Sequence, residues 1–553
     1  MPERLSTLEP PLVSAGSGRI SKAAVILVAL AHSAFIFFVS LSFPRGIYNS
    51  PDEAANALFA RQMQQATSVR VPTLIKDAPA FVAPRSIKRA GNTFIPVGFI
   101  SFPTLFGILA KALGTTGTLA LTAILSGLTV GAWYGFIRRI FGATIGLFSA
   151  ILYGLHPAVL YWGARPFYPH ALFISTTILA LYFLGRTVRL RHERGAADQE
   201  ILKENPTASQ PLVKKRAASF LAGLMAGVAV TLRPTEGLWL APVFFAVFAL
   251  RALRRRVALI PLALGGLFPI FAILALQNRL YGSPFKTGYP ELFQPKNLAD
   301  TVSILVTPFG FDLARTAQVG WEYLARLFWW YALLIVIGVA ALFLRKSTTA
   351  RRMRWWGLGV LLLTLFFLQF YGSWLLRDRL DLLPSLGTSF TRYFLPLYLL
   401  TTPLAAYGLR VIQFRRFGKI LAVCAGIFFL FFSARTLLWS SDENLVELNA
   451  VLRENIKVRE HILSLTPADS IILTDRADKI IFPSREVVAR FRDLTAEQFR
   501  ELRPYPLYYE TILNEMDVAK ENEQFWRRAG LYAADMILLP GRHRLYKLVK
   551  LGE

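Results

Sequence analysis

The chain has 553 residues, of which 54% are hydrophobic and only 18% charged, and its mean hydropathy is +0.43. That is more apolar surface than one water-soluble core of ordinary size can hide, so a bilayer is the natural solvent. The formal net charge of +27 does not mark a nucleic-acid binder, because the lysines and arginines stand in short clusters between apolar stretches rather than along one soluble face.

In chain order, residues 1–22 read as a polar cytoplasmic tail carrying Arg4, Arg19 and Lys22, and the apolar run at 23–43 reads as a retained signal anchor. A polar loop at 44–93 follows and is expected outside. Further apolar stretches lie near 94–111, 116–137, 141–161, 168–186, 217–232, 236–250, 257–277, 322–344, 357–376, 393–409 and 419–439. These approach the ~20 residues that a helix rising about 1.5 Å per residue needs to cross roughly 30 Å of hydrocarbon. The expected fold is therefore a polytopic α-helical membrane protein with about 11–13 spans over residues 23–439, every backbone amide being satisfied within its own helix. Basic clusters around 186–216, 251–256, 345–354 and 410–419 read as inside loops. Their alternation works only if one earlier stretch fails to cross. The 94–111 segment, with Pro96, Gly98, Pro103 and Gly107, is expected to be half-spanning or re-entrant. The single cysteine, Cys424, lies inside an apolar run, which excludes an intrachain disulfide and any cysteine-based metal cluster.

Beyond about residue 440 charged residues appear throughout. Helical periodicity at 443–463 and strands at 471–474 and 536–539 predict a small soluble α/β domain over 440–553, on the outer side of the membrane. No internal repeat is visible, which counts against a secondary transporter.

The most informative segment is Ser50-Pro51-Asp52-Glu53, just after the first span. Ser50 suits a helix N-cap, Pro51 the first helical position, and Glu53 the place from which a capping-box glutamate reaches back. Asp52 then stands on the first turn of a helix at the membrane surface, where the positive helix end favours its charge. A fixed, ionised carboxylate within reach of an acceptor hydroxyl or amine is what proton abstraction requires.

A first span, an external loop with an Asp-Glu pair on a short helix, many further spans and a soluble C-terminal tail resemble the GT-C glycosyltransferase superfamily. Within it the chain most resembles the bacterial and archaeal relatives of protein O-mannosyltransferases and of the aminoarabinose transferases of lipid A. Leu232-Arg233-Pro234-Thr235-Glu236, the stretch from Tyr281 to Tyr289 and Thr391-Arg392-Tyr393-Phe394-Leu395-Pro396 are similar to that family's habits. The resemblance implies an inverting enzyme of the cytoplasmic membrane. It would take a sugar from a polyprenyl-phosphate carrier and pass it to a lipid, glycan or protein acceptor on the outer face. Asp52 matches the family's catalytic acidic position, and Glu53 accompanies it as a second catalytic candidate.

The departing lipid phosphate needs cations. Arg392 with Tyr393, Arg233, Arg165, Lys286 and Lys88 are the candidates at expected outside ends, arginine being suited by its two-pronged planar donors. Each is also accounted for as an interfacial side chain snorkelling to headgroups. His170 is a candidate sugar or phosphate contact, in a turn where many relatives carry a second acidic residue and this chain has none. That departure argues against a divalent metal. No cofactor is expected, since Walker, dinucleotide and paired-histidine motifs are all missing. The competing class is a non-enzymatic lipid or polysaccharide transporter or scaffold, in which Asp52 merely starts a helix. A transporter should carry charges deep in its spans, and these look nearly uncharged.

Overall fold

The computed structural model describes residues 15–187, 212–249, 257–288, 303, 306–374, 384–413, 418–439 and 443–551. The basic stretches at 188–211, 251–256 and 414–417, on which much of the expected orientation rests, lie outside the described residues, as do 1–14 of the N-terminal tail.

Helix α1 (Ala15–Ser42) leads into α2 (Pro51–Ala66), which carries the Asp-Glu pair on its first turn. Ser50 is its N-cap and Pro51 opens it, but the Ser50 side chain makes no capping bond. A three-stranded antiparallel sheet follows, β1 (Val71–Pro72), β2 (Ile87–Ala90) and β3 (Thr93–Pro96), in the order β1-β3-β2. The long α3 (Ser101–Phe141) breaks at Gly114, whose φ of 72° and ψ of 164° leave helical geometry. The arm before the break is about 20 Å long at 1.5 Å per residue, too short to cross a bilayer. It lies against α2, where Gly107 lets the backbones close: a Cβ there would sit 2.5 Å from that of Met63.

The helical part continues through α4 (Ala143–Gly154), α5 (Pro157–Gly163), α6 (Pro169–Thr187), α7 (Leu212–Leu232), α8 (Gly237–Ala249), α9 (Leu259–Tyr281) and α10 (Leu313–Gly320). It ends with α11 (Trp329–Leu344), α12 (Thr348–Tyr371), the short α13 (Ser389–Tyr393), α14 (Leu395–Gln413) and α15 (Gly418–Leu438). Among the described residues, six helices are long and apolar enough to cross a membrane, or eight if two bent pairs each count as one span. That is fewer than the about 11–13 expected from apolar runs of crossing length. Only the 94–111 run is lost by merging with its neighbour, while the runs at 168–186, 236–250 and 419–439, which the count leaves out, each border residues outside the described ones. The 94–111 and 116–137 segments share α3, α4 and α5 form one pair bent by 51°, and Leu313–Arg326 meets α11 at 91°. Large apolar side chains such as Leu27, Phe268, Trp355 and Phe431 stand exposed on the helices, and Cys424 is exposed with them. In water that would be a liability; against lipid it is the ground state. The chain is a multi-span membrane protein.

The C-terminal part is different in kind. Helix α16 (Leu445–Leu465) precedes a five-stranded sheet of order β5-β4-β6-β8-β7, built from β4 (Ile471–Thr474), β5 (Glu486–Val488), β6 (Leu507–Thr511), β7 (Leu531–Leu538) and β8 (Arg544–Lys550). A four-residue turn of helix, α17 (Asp478–Ile481), lies between β4 and β5. Strand β4 runs parallel to both β5 and β6, and all four of its residues are buried, which explains the apolar Ile471-Ile472-Leu473 that precedes Thr474. Ala78 and Val82, from the loop between β1 and β2, are buried in the same apolar cluster as Ile471, Leu473 and Phe491. The loop after α1 and the C-terminal sheet therefore share a core.

Candidate active site

Asp52 and Glu53 are neighbours on one helix, and successive helical residues point about 100° apart. They face different surroundings. Glu53 is buried and pairs with Arg165, which donates from Nη2 to Oε2 at 2.6 Å. Arg165 also donates to the Tyr161 and Tyr168 hydroxyls at 3.2 and 3.4 Å. The capping-box role expected for Glu53 is thus replaced by an ion pair, because a buried guanidinium needs a counter-charge more than a helix start needs a cap. Burial works against the Arg165 charge, but Glu53, Tyr168 and Tyr161 outweigh it and hold its pKa well above the ordinary value.

Asp52 stays half exposed, its side chain at 47%. Ser86 donates to its Oδ1 at 2.6 Å, and Arg392 Nη2 reaches its Oδ2 at 3.4 Å. Arg392 itself is buried on α13, also donates to the Tyr393 hydroxyl at 3.1 Å, and has no partner at Nε. Its guanidinium lies 5.1 Å from the Tyr168 ring and 5.9 Å from that of Trp162, the two rings that also flank Arg165. Aromatic faces stabilise both cations without neutralising them. Burial pushes the Tyr168 phenol up to about 12, against the pull of Arg165, so the hydroxyl that accepts from Arg165 stays protonated.

Arg233 completes the row. Its guanidinium sits 5.0 Å from the Tyr393 ring, and Tyr393 stacks on Tyr371 with centroids 4.5 Å apart. Arg233 donates from Nη2 to Glu236 at 3.0 Å, and from Nη1 to His170 Nε2. Glu236 also accepts from the Tyr371 hydroxyl at 3.1 Å. Of the sequence candidates, then, Asp52, Glu53, Arg165, His170, Arg233, Arg392 and Tyr393 come together. Arg165 and Arg233 are each matched by a buried carboxylate, whereas Arg392 meets only a half-exposed one. Lys88 is exposed on β2 and Lys286 is exposed in the turn after α9. Among the described residues neither contacts this row.

Sequence reasoning missed Trp162, Tyr168, Ser86, Glu236 and Tyr371 as parts of the site. Trp162 is fully buried, its indole N–H donating to Thr391 at 3.0 Å beside Arg392. The aromatic-rich turn from Tyr161 to Tyr168, with an arginine at its centre, was the available signal. A cavity of about 240 Å³ adjoins the Glu53–Arg165 pair; its walls include Phe43, Phe106 and Leu119, with Arg45 and Arg61 also lining it. Among the described residues, no three His, Cys, Asp or Glu side chains are placed to hold a metal ion.

A multi-span helical membrane protein with an Asp-Glu pair in its first loop, a cluster of buried arginines and a C-terminal sheet is the class that fold and site define. Residues 102–195 match the family described as dolichyl-phosphate-mannose-protein mannosyltransferase. The match covers 94 of the chain's 553 residues. Among solved structures, the chain is similar to ArnT from Cupriavidus metallidurans bound to undecaprenyl phosphate. Identity is 13% and TM-score 0.48, over 94% of this chain and 97% of that one. It is also similar to the archaeal oligosaccharyltransferase AglB from Archaeoglobus fulgidus, in complex with an inhibitory peptide and a dolichol-phosphate. There the identity is 12% and the TM-score 0.45, over 93% of this chain and 71% of that one. None of the curated proteins matches the chain.

Proposed function

We propose that the chain is an inverting glycosyltransferase that moves a sugar from a polyprenyl-phosphate carrier to a lipid, glycan or protein acceptor on the outer face of the cytoplasmic membrane. The observation that carries this reading is the Asp52–Arg392 contact. An accessible carboxylate lies 3.4 Å from a buried guanidinium with an unpartnered Nε. Asp52 takes the proton from the acceptor hydroxyl or amine as that atom bonds to the anomeric carbon. The bond from that carbon to the phosphate oxygen breaks, and the phosphate leaves with the electron pair. Arg392 and the Tyr393 hydroxyl then face the growing negative charge, where preorganised donors act most strongly. One displacement inverts the anomeric configuration. Glu53, Arg165, Arg233 and His170 serve as the buried frame that keeps Arg392 and its aromatic neighbours in place. The adjoining cavity, with apolar walls and two lining arginines, suits an anionic amphiphile. We infer that no divalent metal takes part, because the carboxylate beside Asp52 is already committed to Arg165.

The test is Asp52→Asn in the full chain, reconstituted and supplied to membranes of a strain lacking the protein, with released polyprenyl phosphate as readout. Loss of release by a correctly inserted variant is expected. Release at the unmodified rate would overturn the assignment, and sugar-lipid movement across the bilayer without phosphate release would favour a transporter.

A further inference from the structure

Asp52 does not hold its own orientation. Its one short hydrogen bond comes from Ser86, and Ser86 sits in left-handed backbone geometry, φ 61°, which a serine adopts only when its neighbours impose it. The chain on both sides of it is gripped by the C-terminal sheet unit, at Arg85 directly before Ser86 and at Arg89 three residues after it. Arg85 is bound to Asp478 through its backbone N–H at 2.9 Å and its Nη2 at 2.7 Å, and Asp478 is wholly buried. Arg89 pairs with the equally buried Glu486 at 2.5 Å. The chain entering α2 is held from the same place. Lys479, the residue after Asp478, donates from Nζ to the Asn49 carbonyl at 2.6 Å, and Arg459 donates to the Gly46 carbonyl at 3.0 Å. Two adjacent side chains of α17 therefore fix both the backbone that starts the Asp52 helix and the residue that bonds its carboxylate.

We propose that Ser86, Asp478 and Lys479 are positioning residues of the transfer centre, through which the C-terminal α/β unit sets the orientation of the Asp52 carboxylate. This rests on the reading of Asp52 as the base. A carboxylate free to turn about its side-chain torsions spends part of its time away from the acceptor proton, and small misplacements of a reacting group lower the rate steeply. The C-terminal unit thereby contributes to turnover while its own residues stay clear of the substrate.

The experiment uses the full chain in proteoliposomes, with donor lipid extracted from membranes of a strain lacking the protein and those membranes as acceptor. Turnover and donor KM are read from released polyprenyl phosphate. Ser86→Ala, a small change that spares the fold, should lower kcat roughly tenfold, the scale of one hydrogen bond to a charged group, with donor KM unchanged. Ser86→Thr should restore it, and Asp478→Asn should lower kcat in the same way. Because both act through one carboxylate, the Ser86→Ala/Asp478→Asn double variant should be no worse than the weaker single. Neither change should slow the residual turnover of Asp52→Asn any further. If Asp52→Asn is inactive while Ser86→Ala and Asp478→Asn turn over normally, or their losses multiply, the positioning role is overturned and the base assignment stands. If Asp52→Asn itself turns over normally, the base assignment fails and the positioning role with it.

Discussion

Two sets of ion pairs lie along the loop that follows α1, and they are built differently. Where the loop meets the C-terminal unit, Arg85–Asp478 and Arg89–Glu486 close to 2.7 and 2.5 Å on carboxylates that water does not reach. At the start of α2, Asp52 meets Arg392 at 3.4 Å with its carboxylate half exposed. A dry, closed pair has spent its electrostatic interactions on holding the chain in place. An open, stretched pair still has donors and lone pairs to offer a substrate. Asp52 and Glu53 repeat the contrast one residue apart, Glu53 being matched and buried against Arg165.

This contrast can be broken in order of expected effect. The largest belongs to the open pair: Asp52→Asn should cut sugar transfer by about a thousandfold, within the range for loss of a positioned general base. Its melting temperature in detergent should hardly move, because the group is half in water. Arg89→Ala should act first on stability. It strands the buried Glu486 charge, so thermal inactivation should show a destabilisation of about 3–5 kcal/mol. Glu53→Gln, which leaves Arg165 uncompensated, belongs with it, and its thermal loss should exceed its effect on the turnover of protein that remains folded. Arg392→Lys comes next. A point charge cannot copy the planar fork, and donor KM should rise by about tenfold or more, measured by titrating the lipid-linked sugar. The smallest effects belong to Lys88→Ala and Lys286→Ala, which as exposed surface changes should leave transfer within about twofold. A normal Asp52→Asn rate, or a normal melting point for Arg89→Ala, would erase the distinction between the two kinds of pair.

Much of this architecture could be read from residue order. The apolar β4 run, the periodic helix that became α16 and the Ser-Pro start of α2 are local signals, and each element forms about where its pattern placed it. The strand expected at 536–539 is the end of a longer β7 (Leu531–Leu538). Crossings were harder to count, because hydropathy registers two apolar runs at 94–111 and 116–137 without registering that one helix, bent at Gly114, carries both. Site membership was harder still. Trp162 and Tyr168 look like interface aromatics in sequence, and nothing local reveals that they flank two arginines.

Residue order alone was enough to place this chain in a bilayer, to put a short helix with two carboxylates after its first span, and to fold its tail as a helix-and-sheet unit. Composition and periodicity report on solvent and local geometry, so these were legible. Which carboxylate is free and which is consumed was decided only by tertiary structure. Glu53 meets an arginine 112 residues away and Asp52 one 340 residues away, and the buried carboxylates that grip the loop lie 393 and 397 residues from their arginines. Charge partners so distant leave no local pattern, since a guanidinium is chosen by the space that packing leaves around it.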